Sequence, residues 1–195
     1  SNNCTDNTPH VCARLAKKYA KIKHFDYPLK ILKGGAVIRG FQHARFPFLG
    51  FTDVDMATAP EEFLKLISPL SDEKVGASIA SRQMPDSVLF PPQPFIRRIL
   101  GMLFAIVREG LFGLGINDSQ CGAKIFRKEL IEPMKLTHNG FTFDVELLYR
   151  VKKKGFVIRE IGITWQDKPN SIVFAADPWL PISMLKELFF LRLRI

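Results

Sequence analysis

Two carboxylates, Asp53 and Asp55, stand two positions apart at the end of an apolar run in the stretch LGFTDVDMATAPEE at 49–62. Side chains two apart on an extended segment point to the same side, so both can face one cation. Carboxylate oxygens whose shell is completed by phosphate oxygens suit a hard ion, Mg²⁺ or Mn²⁺, better than zinc. An ion so placed absorbs charge on a departing phosphate and holds it in position. The same spacing also occurs as a solvated turn pair, because Asp takes turn positions readily. Two further groups suit phosphate. Lys33-Gly34-Gly35 would let backbone N–H groups approach an anion closely at a helix entry, or would be a plain flexible turn. Arg97 and Arg98 carry planar forks that bind phosphate oxygens bidentately, although one of the two is expected to face solvent.

The elements around these residues decide between the readings. Thr58 with Glu61 three residues on reads as a capping box, and Pro60 falls where a first helical turn tolerates it. Asp53 and Asp55 are thus expected between a strand and a helix at 59–67, on the carboxyl edge of an α/β sheet, where ligands bind. Before them the pattern predicts a turn-rich segment at 1–9, a helix at 11–19, a short strand at 22–25 and a helix at 36–45. After them it predicts a strand at 75–82, a loop at 85–94 whose four prolines bar a helix, and an amphipathic helix at 95–114. The segment 117–126 leads into a strand, 141–152 reads as a helix with Asp144 and Glu146 in its first turn, and 157–165 alternates as a strand. The last segment, 181–195, combines a broad apolar face with Lys186, Arg192 and Arg194; it reads as an interfacial helix or as a packed C-terminal one.

A chain of 195 residues fits one domain with a substantial core. Its formal charge of +9 favours an anionic partner: nucleotide phosphate, a lipid phosphate surface or nucleic acid. Nucleic acid is the poorest of these, since the charge is not interleaved with aromatic stacking groups. Cys4, Cys12 and Cys121 form no C-x-x-C pair and the four histidines lie far apart, so neither a zinc site nor a disulfide framework is encoded and a reducing compartment is expected. The polar start carries no visible signal peptide, and the longest apolar region, 99–116, is interrupted by Arg108 and Glu109, short of the roughly 20 apolar residues a span requires.

In order along the chain, the motifs resemble family 2 glycosyltransferases of the GT-A fold, in particular dolichyl- or polyprenyl-phosphate hexose synthases. Cys4-Thr5-Asp6-Asn7-Thr8 looks like that family's Ser-Thr-Asp-Gly-Thr turn, and Lys33-Gly34-Gly35-Ala36-Val37 like its Gly-Lys-Gly segment. Asp53-Val54-Asp55 matches the D-x-D and Ser81-Arg82 the Gly-Ser-Arg. The run from Asp118 to Lys124 (DSQCGAK) is similar to Asp-Thr-Gln-Cys-Gly-Phe-Lys, and Phe143-Asp144-Val145-Glu146-Leu147 to Phe-Asp-x-Glu-Leu. Trp165 and Ser171 match the Val-x-Trp and Ser that close the catalytic domain. Singly these patterns are soft; seven in one order are specific. Against the family pattern, the chain begins about two elements late, without the first strand and its Pro-x-Tyr-Asn-Glu segment. Ala57 stands where mannosyl synthases often carry Gln, which favours the glucosyl branch.

The resemblance implies a mixed, mostly parallel sheet flanked by helices, N-terminally incomplete, with a catalytic domain at 1–180 and a membrane-interface helix at 181–195. It implies an inverting, metal-dependent transfer of a hexose from a nucleotide sugar, UDP-glucose or GDP-mannose, to a polyprenyl or dolichyl phosphate at the cytoplasmic face of a membrane. Asp53 and Asp55 would hold Mg²⁺ or Mn²⁺. Asn2, Asp6, Lys33 and Arg82 would bind the donor, and Arg97, Arg98, Gln120 and Lys124 the acceptor. Asp144 would be catalytic, near the acceptor side, and Cys121 a small buried packing group. A lipid phosphate is already anionic near neutral pH, so no strong general base is required. Two other readings stay open: the same donor chemistry with a glycan or small-molecule acceptor, and a non-catalytic membrane or scaffold module.

Overall fold

The structure, a computed structural model, describes residues 1–132, 134, 136, 139–167 and 179–195. At its centre is a four-stranded sheet of β1 (Phe48–Phe51), β4 (Lys124–Arg127), β2 (Val75–Ser81) and β5 (Val157–Gly162), in that spatial order. β1, β2 and β5 share one direction and β4 runs against both its neighbours, giving the expected mixed sheet. Side chains alternate between its faces. Ala77, Ile79 and Phe126 enter one core with Phe41, Phe112, Phe143 and Leu147, while Ala80 and Ile125 enter another with Leu66, Leu70 and Ile163. With both faces covered, every residue of β2 is buried.

Helices α1 (Thr8–Lys18), α2 (Leu32–Gln42), α3 (Pro60–Leu64), α4 (Phe95–Phe112), α5 (Lys128–Ile131), α6 (Phe143–Lys153) and α7 (Leu180–Arg194) surround the sheet. α4 ends where Gly113 turns left-handed at φ 56° and returns its N–H to the Glu109 carbonyl at 2.8 Å, a conformation that favours glycine. α4 and α7 pack together, and α7 buries Leu188 and Leu191 in the main core. The segment read as either an interfacial or a packed C-terminal helix is therefore anchored in the domain along one face. Its other face leaves Phe189, Phe190 and Leu193 exposed.

Several local expectations give way to tertiary contacts. Residues 22–25 form no strand: Phe25 stacks on His43 at 3.9 Å between ring centroids, and the nearby bridge joins Asn2 to Tyr27 instead. α2 begins at Leu32 rather than at residue 36, which places Lys33, Gly34 and Gly35 inside the helix. Gly34 is glycine because a Cβ there would lie 2.7 Å from that of Phe143, and its N–H is spent on the Asn139 carbonyl at 2.9 Å. The phosphate-cradling reading of these glycines is thus corrected to close helix packing. Thr58 is no cap either: Ala59 holds that position without a side-chain bond, and Thr58 is buried in a bridge to Trp165. The proline-rich loop contains a strand, β3 (Val88–Phe90), and the alternating run at 157–165 divides, its end forming β6 (Thr164–Gln166) parallel to β3 in a second, two-stranded sheet.

Candidate active site

A cleft of about 290 Å³ opens beside the turn that follows β1, walled by α4 and the first half of α7. It brings together Asp53, Asp55, Lys33, Arg82, Arg97, Arg98 and Gln120. β1 stops at Phe51, so both aspartates sit on the turn rather than on the strand. Val54 between them is 98% exposed, pointing away from the cleft. Asp53 donates its backbone N–H to the Gly122 carbonyl at 3.0 Å, and a Cβ on Gly122 would fall 1.9 Å from Asp53 Oδ2. Glycine is required there to admit the carboxylate. Asp55 Oδ1 accepts the Ala57 N–H at 2.9 Å, closing the turn through Met56 at φ 58°. The donor set, two accessible carboxylates without a third His, Cys, Asp or Glu clustered among the described residues, fits Mg²⁺ or Mn²⁺ with ligand oxygens completing the shell.

Charge is arranged in pairs around this turn. Lys33 Nζ lies 2.8 Å from Asp53 Oδ1. Burial works against its charge, but the carboxylates of Asp144 and Asp53 raise its pKa above the ordinary lysine value. Behind the cleft, Lys124 Nζ lies 2.9 Å from Asp144 Oδ1 and donates to the Cys121 carbonyl at 2.5 Å. Both residues are fully buried, and neither lines the cleft. Expected to bind the acceptor and to be catalytic, Lys124 and Asp144 here pair with each other behind the cleft. Burial raises the Asp144 carboxyl above its usual range despite Lys124 and Lys33.

Arg82 grips Asp118 bidentately, Nε to Oδ2 at 2.7 Å and Nη2 to Oδ1 at 2.9 Å. Asp118 also accepts the N–H groups of Gln120 and Cys121, and Glu160 accepts those of Asn117 and Asp118, so the loop before β4 is fixed by carboxylates. Trp165 lies between two guanidiniums, with Arg82 5.5 Å and Arg97 5.7 Å from its ring centroid. Arg97 in turn is held by both oxygens of Asp167 at 3.0 and 3.1 Å. Of the arginine pair, Arg97 is committed to that carboxylate, whereas Arg98 is exposed at the mouth with no ion pair among the described residues. Asn2 and Asp6 do not reach the cleft. Asn2 bonds the backbone of Ile31 and Leu32, and Asp6 accepts the Thr8 N–H at 3.0 Å at the start of α1, so both expected donor contacts lie on residues that here support local backbone. Ser171 lies outside the described residues.

The Arg82–Asp118 pair makes a pH-dependent contribution. Burial alone would push the Asp118 carboxyl up, but the Arg82 charge and hydrogen bonds outweigh it and hold the group well below the usual carboxylate range. A carboxyl whose pKa is lowered on folding stabilises the fold above its unfolded pKa, about 4, and loses that contribution as pH falls below it. Asp118→Asn should therefore melt well below the parent at pH 7. The gap should narrow between pH 4 and pH 2.5; a gap independent of pH would refute this role.

Asp167 was not singled out in the sequence, Asp118 was named only as the start of the DSQCGAK motif, and Arg108 only as a break in an apolar run. Arg108 is buried in α4 and lines the cleft, and its position eleven residues after Arg97 on an otherwise apolar helix was a usable signal. The pairings of the two aspartates had no local signal, since their partners lie 36 and 70 residues away.

A mixed sheet whose edge turn carries D-x-D into a cleft lined by cations is the arrangement of GT-A glycosyltransferases. The model for glycosyl transferase family 2 matches residues 1–134, and the chain belongs to that family. It is 31% identical over 209 residues to a dolichyl-phosphate beta-glucosyltransferase of Saccharomyces cerevisiae, covering 97% of this chain and 61% of that protein. It is 30% identical over 177 residues to the glycosyltransferase AglD of Haloferax volcanii, covering 88% of this chain and 28% of AglD. Among solved structures, glucosyl-3-phosphoglycerate synthase from Mycobacterium tuberculosis, in complex with Mn²⁺, uridine diphosphate and glucosyl-3-phosphoglycerate, shares the fold. The TM-score is 0.62 at 16% identity, over 96% of this chain and 65% of that one. The chain thus spans less than two thirds of the length of these relatives.

Proposed function

We propose that this chain transfers a hexose, glucose from UDP-glucose in preference to mannose from GDP-mannose, to a polyprenyl or dolichyl phosphate at the cytoplasmic face of a membrane. The observation that carries this reading is one cleft with two kinds of wall: Asp53 and Asp55 at one end, and Leu100, Leu103, Phe104, Met184 and Leu185 of α4 and α7 along the side. A phosphate with a long apolar tail matches that combination. The names of the relatives support the acceptor and the sugar, and the Mn²⁺ and UDP-glucose in the M. tuberculosis complexes support a nucleotide-sugar donor with a divalent ion.

Asp53 and Asp55 would hold Mg²⁺ or Mn²⁺ on the donor diphosphate, where the ion supplies Lewis-acid stabilisation of the leaving group. Lys33 brings a second positive charge to the same edge. Arg98 at the mouth attracts the acceptor anion, which attacks without a strong base because it is already charged. The outer faces of α4 and α7 expose Phe95, Ile96, Met102, Ile106, Phe190 and Leu193, with Arg98, Lys186 and Arg194 among them. No described helix is long and apolar enough to cross a membrane. A lipid surface of anionic headgroups suits this face.

The test offers the chain Mn²⁺ with labelled UDP-glucose or GDP-mannose and, in anionic vesicles, a polyprenyl phosphate. Label from UDP-glucose is expected in the lipid-extractable fraction. Transfer only to a glycan or small molecule would replace the acceptor, and absence of any nucleotide binding by calorimetry would favour a non-catalytic module.

A further inference from the structure

Four buried hydrogen-bond donors belong to residues lining the cleft and have no acceptor among the described residues: Gln93 Nε2, on the proline-rich loop, and a set of three, Arg108 Nε, Ser119 Oγ and Gln120 Nε2. Arg108 and Ser119 are each 2% exposed. The guanidinium and amide nitrogens can only donate, and the hydroxyl can do so, so one group able to satisfy all three is an oxyanion. A metal ion could satisfy none of the nitrogens.

The charge around Arg108 points the same way. Its terminal nitrogens donate to the Ile116 and Asn117 carbonyls, and the carboxylate paired with it, that of Glu109, lies 3.7 Å away and is 44% exposed. By contrast, Arg82 has the buried carboxylate of Asp118 in bidentate contact, and Arg97 has the partly buried Asp167, both of whose oxygens accept from Nη1. Arg108 is therefore the buried guanidinium of this cleft whose charge is less closely balanced than those of Arg82 and Arg97. Placement adds a third argument. Arg97, Gly101, Ala105 and Arg108 follow one another along one face of α4 at helical spacing, and all four line the cleft. A Cβ on Gly101 would meet nothing within 4 Å, and Leu180 and Leu185 of α7 line the same cleft. An anion at buried Arg108 would share the cleft with the apolar residues Leu100, Leu103, Phe104 and Leu185.

We propose that Arg108, Ser119 and Gln120 form a phosphate-monoester seat inside the cleft, and that exposed Arg98 guards only its mouth. The seat takes a monoester anion, either the headgroup of a prenyl phosphate or a soluble phosphate; naming it the acceptor's seat rests on the transfer reading above.

The test is equilibrium binding to the full chain of inorganic phosphate, farnesyl phosphate and, separately, UDP with Mn²⁺. Arg108→Met removes the charge but also two bonds to loop carbonyls. Gln120→Glu is the second variant, since it keeps the side-chain size and replaces a donor by a negative charge; melting curves establish that each variant is folded. Both phosphates are expected to bind at least about tenfold more weakly to either variant, with UDP affinity within about twofold of the parent. Farnesyl phosphate binding more tightly than inorganic phosphate to the parent would assign a lipid source, and equal affinities a soluble one. Folded Gln120→Glu that binds both phosphates as the parent does would overturn the seat. So would loss of UDP with phosphate binding unchanged, which gives these donors to the nucleotide. Because the measurement is binding, failure of sugar transfer with these results intact would count against the transfer reading and leave the seat standing.

Discussion

Asp55→Ala is expected to lower sugar transfer by at least about a hundredfold, the scale of removing one major electrostatic stabiliser of a transition state. The residue suits a clean test. Its side chain is exposed and its one protein bond within the described residues is to the Ala57 N–H in its own turn, so the fold loses about one modest hydrogen bond. Melting temperature should shift by no more than a few degrees. Asp53, held by the Gly122 carbonyl and Lys33, would remain in place. Titration of Mn²⁺ in the presence of UDP gives a second readout, in which the variant should require far more metal for the same nucleotide binding. A variant that transfers at near-parental rates in ordinary Mn²⁺ would remove the metal role from this residue.

Lys124→Met is expected to produce the largest loss of stability from a single side chain. It leaves the fully buried Asp144 without the ammonium 2.9 Å away, and breaking a buried pair in this way costs about 3–5 kcal/mol. For a chain of this size about 2–4 °C of melting temperature accompanies each kcal/mol, so the drop should be on the order of 10 °C. The sign with pH follows from Asp144, whose carboxyl is already raised by burial. A group with a raised folded pKa favours the fold when protonated and disfavours it as pH rises through that value, so the variant should be less impaired at pH 5 than at pH 8. Adding Asp144→Leu to Lys124→Met should restore much of the loss, since apolar replacement of a whole buried pair is often neutral. A double variant no more stable than the single one would show that Asp144 is needed for something besides balancing Lys124.

The sequence disclosed the parts of this molecule whose physics is local. Asp53 and Asp55 were recognisable because a hard cation needs oxygen ligands close together, and α4 and α6 because their apolar residues recur at helical spacing. What stayed hidden depends on partners far along the chain. Gly122 looks like any turn glycine until Asp53, 69 positions earlier, is seen to occupy the space of its missing Cβ. Thr58 and Glu61 have the spacing of a capping box, yet the bridge to Trp165 claims Thr58, a long-range contact overriding a local preference. Arg82 and Arg97 are cations in sequence and neutralised pairs in the fold. β3 was masked by its prolines, because the ladder that makes it a strand is supplied by residues 164–166.

That short ladder has a mechanical consequence. β6 lies against β3 on one side, where the Asp167 N–H donates to the Phe90 carbonyl at 3.0 Å, and against the turn of Asp53 and Asp55 on the other, where the Gln166 N–H donates to the Ala57 carbonyl at 2.9 Å. Three residues thus act as a yoke between the segment that carries the carboxylates and the segment that leads into α4. Order imposed on one segment is therefore expected to reach the other through these bonds, and protection of the Gln166 amide from exchange would register it.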